Sequence, residues 1–118
     1  MWERHNIAGQ QALSQGRTQE AEAQFRLALT EAEKSGLSDP KVPQTLNNLA
    51  NCLRQQGRYA DADPLYLRAI ELKGKQVGPL HKDMIPYFEN YAKMLRAAGK
   101  EKEAEKMEFK AKAIFAKM

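Results

Sequence analysis

Thr45-Leu46-Asn47-Asn48-Leu49-Ala50-Asn51-Cys52-Leu53-Arg54-Gln55-Gln56-Gly57-Arg58-Tyr59-Ala60-Asp61-Ala62-Asp63-Pro64-Leu65-Tyr66-Leu67-Arg68-Ala69-Ile70 decides the fold. Before Gly57, the residues Leu46, Leu49, Ala50 and Leu53 recur at helical steps, the apolar stripe of an amphipathic helix. After it, Ala62, Leu65, Tyr66, Ala69 and Ile70 keep the same spacing. A glycine between two such segments makes the turn of a helical hairpin, because it ends the first helix without steric cost. No stretch of the chain alternates apolar and polar positions with β-branched residues, so strands find no support.

The hairpin recurs. Gly16 lies 41 residues before Gly57, and Gly99 lies 42 after it. An acid-Ala-acid triplet follows each: Glu20-Ala21-Glu22, Asp61-Ala62-Asp63 and Glu103-Ala104-Glu105. The same offsets carry Phe25 onto Tyr66, Ala28 onto Ala69 and Ala111, and Leu29 onto Ile70. The stripe of the first helix becomes Phe88, Tyr91, Ala92 and Leu95 in the third copy, and a smaller set, His5, Ala8, Gly9 and Ala12, in the first. One such hairpin cannot bury its apolar face alone, so the array is stable only as a stack.

The chain therefore reads as all-α, with helices expected over residues 3–15, 18–35, 41–56, 59–75, 83–98 and 101–117. They form one domain of three repeats, about 2–36, 40–76 and 82–118. The linkers 36–40 and 74–79 carry C-cap glycines and proline stops, and Asp39-Pro40 suits the N-cap and first turn of the third helix. Pro64 falls inside the fourth helix, where it removes a hydrogen bond and is expected to bend the helix.

Composition narrows the function. The 118 residues are 42% hydrophobic and 29% charged, the balance of a soluble globular domain. No apolar run approaches the roughly 20 residues that span a bilayer, and Met1-Trp2-Glu3-Arg4-His5 does not resemble a secretory signal. The net charge of +4 suggests nucleic acid until its distribution is considered. In Lys100-Glu101-Lys102-Glu103-Ala104-Glu105-Lys106 both signs alternate, the mark of a solvated face rather than a phosphate-binding stripe. Neither nucleic acid nor a membrane is an expected partner. The single cysteine, Cys52, reads as a small buried hydrophobe and inclines the expected compartment to a reducing, cytoplasmic one over export with a signal removed. His5 and His81 have no catalytic or metal-binding context, no phosphate loop is present, and the carboxylates sit beside Lys and Arg at surface spacing. No enzymatic activity, cofactor or metal is expected.

Leu49, Ala50, Gly57, Tyr59, Ala62, Tyr66 and Ala69 resemble the signature positions of the tetratricopeptide (TPR) family. Thr45-Leu46-Asn47-Asn48-Leu49-Ala50, Gln56-Gly57-Arg58-Tyr59, Leu65-Tyr66-Leu67-Arg68-Ala69-Ile70 and Gly78-Pro79-Leu80-His81 are similar to the long, kinesin-light-chain type of repeat. The resemblance spans the whole chain and is most specific over 45–81. It implies a right-handed superhelical stack whose first helices line a concave groove for another protein. The outer repeats depart from it: Glu108 and Lys112 stand where an aromatic and a leucine are usual, with Met107, Phe109, Ile114 and Phe115 as substitutes by a shifted packing.

Opposite the apolar stripe, each first helix carries a polar line. These are Glu3, Asn6, Gln10 and Leu13; Gln44, Asn47, Asn51 and Arg54; and Pro86, Glu89, Lys93 and Arg96. From these, Asn6, Gln10, Gln44, Asn47, Asn51, Arg54, Lys93 and Arg96 are the expected peptide-binding residues. Side-chain amides donate and accept, so they can satisfy a peptide backbone of any sequence, and the cations favour acidic segments. Asparagine forms helices poorly, and nothing in the apolar pattern asks for Asn47 and Asn51. The chaperone-carboxylate type of TPR groove is not supported, since Asn6, Gln10, Glu89 and Lys93 stand at its positions. The alternative function is assembly through the terminal repeat faces. The line Met107, Ala111, Ile114 and Phe115 is expected to pack in part on Tyr91 and Leu95, with the rest leaving a monomer or weak homodimer.

Overall fold

A computed structural model describes residues 1–118. Six α-helices follow one another: α1 (Trp2–Ser14), α2 (Thr18–Glu33), α3 (Lys41–Gln55), α4 (Tyr59–Val77), α5 (Ile85–Ala97) and α6 (Glu101–Ala116), with a 3₁₀ turn at Lys82–Met84 before α5. There is no strand. The hairpin glycines Gly16, Gly57 and Gly99 hold φ of 77°, 75° and 80°, a left-handed conformation that side chains with a Cβ rarely adopt.

Each odd helix packs on the even helix that follows it, and each even helix packs on the next odd one. α1 approaches α3 and α3 approaches α5, whereas α2 and α4, or α4 and α6, do not meet. The odd layer is thus tight and the even layer splayed, which curves the stack toward α1, α3 and α5. This is a right-handed superhelix whose inner face the odd helices line.

The expected stripes form the core. Leu49, Ala50, Leu53, Tyr91, Ala92 and Leu95 are buried in one cluster with Phe25, Ala62 and Tyr66. In the first repeat, small residues on α1 are answered by a large one on α2. A Cβ on Gly9 would lie 2.6 Å from a ring carbon of Phe25, so glycine admits that ring to the centre of the repeat.

Several local expectations are corrected. α4 ends at Val77 rather than at residue 75, and Gly78 (φ 97°) of the expected linker stands at its cap. Pro64 deprives only the carbonyl of Ala60, an exposed residue that water can serve. The expectation at the start of α3 holds, Asp39 Oδ1 accepting from the Lys41 N–H at 2.8 Å. α5 begins later than expected, because the backbone first makes the 3₁₀ turn, capped by His81 Nδ1 accepting from the Asp83 N–H at 3.0 Å. At the C-terminal end, Phe109 and Phe115 do not replace the missing aromatic: both are exposed. Met107 packs on the cluster of Tyr91 and Leu95, whereas Ala111 and Ile114 join Met84 and Phe88.

Repeats are joined by polar contacts as well as apolar ones. Glu22 of the first repeat accepts from Arg58 (2.8 Å) and Gln56 (3.1 Å) of the second, as well as from Arg26 in its own helix. Burial works against its charge, yet these donors outweigh that cost and hold the carboxyl below its ordinary range. Trp2 Nε1 donates to Thr45 Oγ1 at 2.7 Å, and Lys41 lies over the Trp2 ring. Cys52 is buried, and its thiol donates to the Thr18 carbonyl at 3.1 Å.

Candidate functional site

The inner face is built by α1, α3 and α5, whose exposed lines lie across the direction of stacking. The eight residues expected there are not equivalent. Gln10, Gln44, Lys93 and Arg96 are exposed, Asn47, Asn51 and Arg54 are half-buried, and Asn6 is buried. Asn6 Oδ1 accepts from Asn48 Nδ2 of the next repeat at 2.9 Å, so Asn6 orients Asn48 rather than facing solvent.

Asn51 has a packing role that its neighbours in sequence do not reveal. Its Oδ1 accepts from the hydroxyl of Tyr66 at 2.6 Å. Tyr66 is fully buried, and burial, opposed by the nearby Arg54 charge, pushes its hydroxyl up to about 12. The proton therefore stays on oxygen, and the bond leaves the Asn51 amide N–H groups for another acceptor. Tyr91 of α5 donates to Asp63 Oδ1 of α4 at 2.8 Å across the junction of two repeats, and the two tyrosine rings lie 5.7 Å apart. Asn47 Oδ1 is buried and meets no donor.

Between α1 and α3 a hollow of about 300 Å³ collects Gln10, Asn48, Asn51 and Gln55 over Leu13 and Phe25. Two of the expected residues are brought together there, and two unexpected ones join them. Asn48 and Gln55 lie with Asn51 at steps of three and four on α3, one column beside the chosen line, and that periodicity was the signal for them. The hollow holds no charged side chain; its chemistry is amide over apolar surface.

Toward α5 the charges are partly spoken for. Arg96 donates from Nε to Glu108 Oε2 at 3.0 Å, from Nη2 to Glu108 Oε1 at 2.5 Å, and from Nη1 to Glu101. Glu108, at the place of an aromatic in the earlier repeats, thus clamps a cation that the sequence alone left free. Lys93 lines a second hollow, of about 480 Å³, with Glu89, Glu108 and Lys112 beside Ile85 and Phe115. Arg54 makes no ion pair. No three His, Cys, Asp or Glu side chains are placed to share a metal ion, and no helix is long and apolar enough to cross a membrane.

The family model described as "Tetratricopeptide repeat" matches residues 4–75 and again 41–117. No curated protein matches the chain. Among solved structures, the TPR domain of Arabidopsis FLU superposes with a TM-score of 0.85 at 18% identity, covering 99% of this chain and 96% of that one. The nearly identical TPR-like repeats of a putative kinesin light chain from Podosopora anserina superpose with a TM-score of 0.83 at 20% identity. They cover 98% of this chain, which spans 56% of that structure. BtubC (BKLC) from P. vanneervenii gives 0.58 at 21% identity, over 97% of this chain and 63% of that one. At these identities the likeness is one of fold.

Proposed function

The chain belongs to the tetratricopeptide repeat family, and from that premise we propose that it is a non-catalytic module that holds an extended peptide segment of another protein along α1, α3 and α5. The observation that carries this reading is the row of unspent hydrogen-bonding groups on the inner face. Gln10 and Gln44 are exposed, and Asn51 has its oxygen fixed by Tyr66 and its amide N–H groups turned free. Such a row meets the N–H and C=O groups of an extended backbone without choosing its side chains. Asn6 takes part by positioning Asn48.

Selectivity for acidic segments rests on Arg54 and Lys93. Arg96 joins them only by exchanging its glutamate partners, and an exchange of ion pairs at an exposed site gains little. The neutral amide hollow beside α1 suits an uncharged side chain, so an acidic residue belongs nearer α5.

Selection from a random peptide library, followed by amide mapping of the winners, tests this. Bound peptides are expected to shift the amides of Gln10, Asn47, Asn51 and Lys93, and Arg54→Glu to weaken acidic winners more than neutral ones. Winners that map to α2, α4 and α6 would refute the groove.

The exposed Phe115 and Met118 beside Ile85 favour a second reading, assembly through the C-terminal end. Sedimentation at rising concentration decides it: a dimer abolished by Phe115→Glu carries the reading, and a monomer throughout removes it.

A further inference from the structure

The second repeat differs from the first at its edge. α4 has 19 residues where α2 has 16, and its added residues Lys75, Gln76 and Val77 overhang the linker between α2 and α3. Gln76 ties the two together, its Nε2 donating to the Asp39 carbonyl at 3.3 Å. Between linker and overhang lies a hollow of about 680 Å³ lined by Leu37, Leu72, Val77, Lys73, Lys75 and Gln76. A volume of roughly 300–1,000 Å³ is that of sites taking a small ligand or one or two side chains.

Two features of the hollow, an open aliphatic wall and positive charge, point to one kind of occupant. Leu37 is 46% exposed and shares the hollow with Leu72 and Val77, so a surface for an aliphatic side chain stands open. The only charged lining residues are lysines; Lys75 reaches Glu71 at 3.7 Å, while Lys73 makes no ion pair. Gln76 Oε1 is buried and meets no donor of the chain. It is one of two such side-chain atoms in the molecule, the other being Asn47 Oδ1 on the inner face. Gln76 Oε1 is closed to an occupant as it is to solvent, so Gln76 serves the hollow as a wall held by its bond to Asp39.

We propose that this hollow is a second docking site, separate from the α1–α3–α5 groove, for a short extended peptide segment carrying a bulky aliphatic side chain next to a carboxylate. The aliphatic side chain covers Leu37, Leu72 and Val77. The carboxylate accepts a charge-assisted bond from Lys73. A basic segment is repelled by the two lysines, and a wholly polar one leaves Leu37 uncovered.

Titration of the ¹⁵N-labelled protein with acetyl-Ala-Leu-Leu-Asp-amide, and with the same peptide ending in Asn, tests the site. The acidic peptide is expected to give saturable shifts at the amides of Leu37, Ser38, Gln76 and Val77. Loss of its charge is expected to weaken binding about tenfold, as for an ion pair shielded on one side. Leu37→Asp and Lys73→Glu are expected to do the same, and helical circular dichroism checks that both variants remain folded. Shifts confined to the inner face, equal binding of the Asn peptide, unaltered binding by folded Leu37→Asp, or no saturable shift would each overturn the proposal. Failure of this site leaves the groove standing, because the groove's own test uses selected peptides and different amides.

Discussion

Replacing Gly9 with alanine sets helix propensity against packing, and the structure decides the sign. Within a helix, alanine is better than glycine by about 1 kcal/mol, so local reasoning predicts a gain. The added Cβ, however, would stand 2.6, 2.7 and 2.9 Å from three carbons of the Phe25 ring. Carbon atoms are comfortable at about 3.5–4.0 Å, so the ring must move by roughly 1 Å. Phe25 is fully buried among Ala12, Ala21, Leu49 and Leu53, and overpacking of this kind costs about 1–3 kcal/mol. The balance is a net loss of about 1 kcal/mol. Gly74→Ala is the control: it lies within α4, its Cβ would meet only Met84 Cε at 3.9 Å, and it should gain about 1 kcal/mol. Urea unfolding followed by helical circular dichroism should therefore separate the two variants by about 2 kcal/mol. In a Phe25→Leu background the penalty at position 9 should shrink or reverse, because the coupling runs through the ring. The ring borders the amide hollow, so its displacement in Gly9→Ala should also weaken a peptide selected for that hollow. If Gly9→Ala stabilises the protein as Gly74→Ala does, the packing account of the first repeat is wrong.

Asn51→Ala leaves the buried Tyr66 hydroxyl without its acceptor and should cost about 1–3 kcal/mol in urea unfolding, whereas Asn47→Ala, whose Oδ1 has no donor to lose, should be near neutral. An equal effect of the two would refute the assigned roles. Glu22 has a folded pKa below its unfolded value of 4.5, so its contribution is present above that pH and is lost as pH falls through the folded value. The urea midpoint should accordingly drop between neutral and acid pH, and Glu22→Gln should flatten that drop; an unchanged slope in the variant would count against the Arg26–Glu22–Arg58 link. Phe109→Ser should alter stability by no more than about 0.5 kcal/mol, since the side chain is exposed, and a larger loss would mean that the last helix packs differently.

Helices, hairpins and repeat register were legible in the residues because they depend on local facts. The 3.6-residue periodicity of Leu46, Leu49, Ala50 and Leu53 and the left-handed glycines at 16, 57 and 99 act within a few positions of the chain. Errors at that level were of a residue or two at helix ends, as when α4 ran past residue 75 to the permissive glycine Gly78. The inner face was legible only as a line of polar positions. Which of them are free was settled by partners far along the chain: Asn48 for Asn6, Tyr66 for Asn51, and Glu108 for Arg96, at separations of 42, 15 and 12 residues. The exclusion of a Cβ at Gly9 likewise belongs to α2, not to α1. Periodicity states which side of a helix a residue occupies, but the stacking of one repeat on another determines whether its hydrogen-bonding groups are already spent.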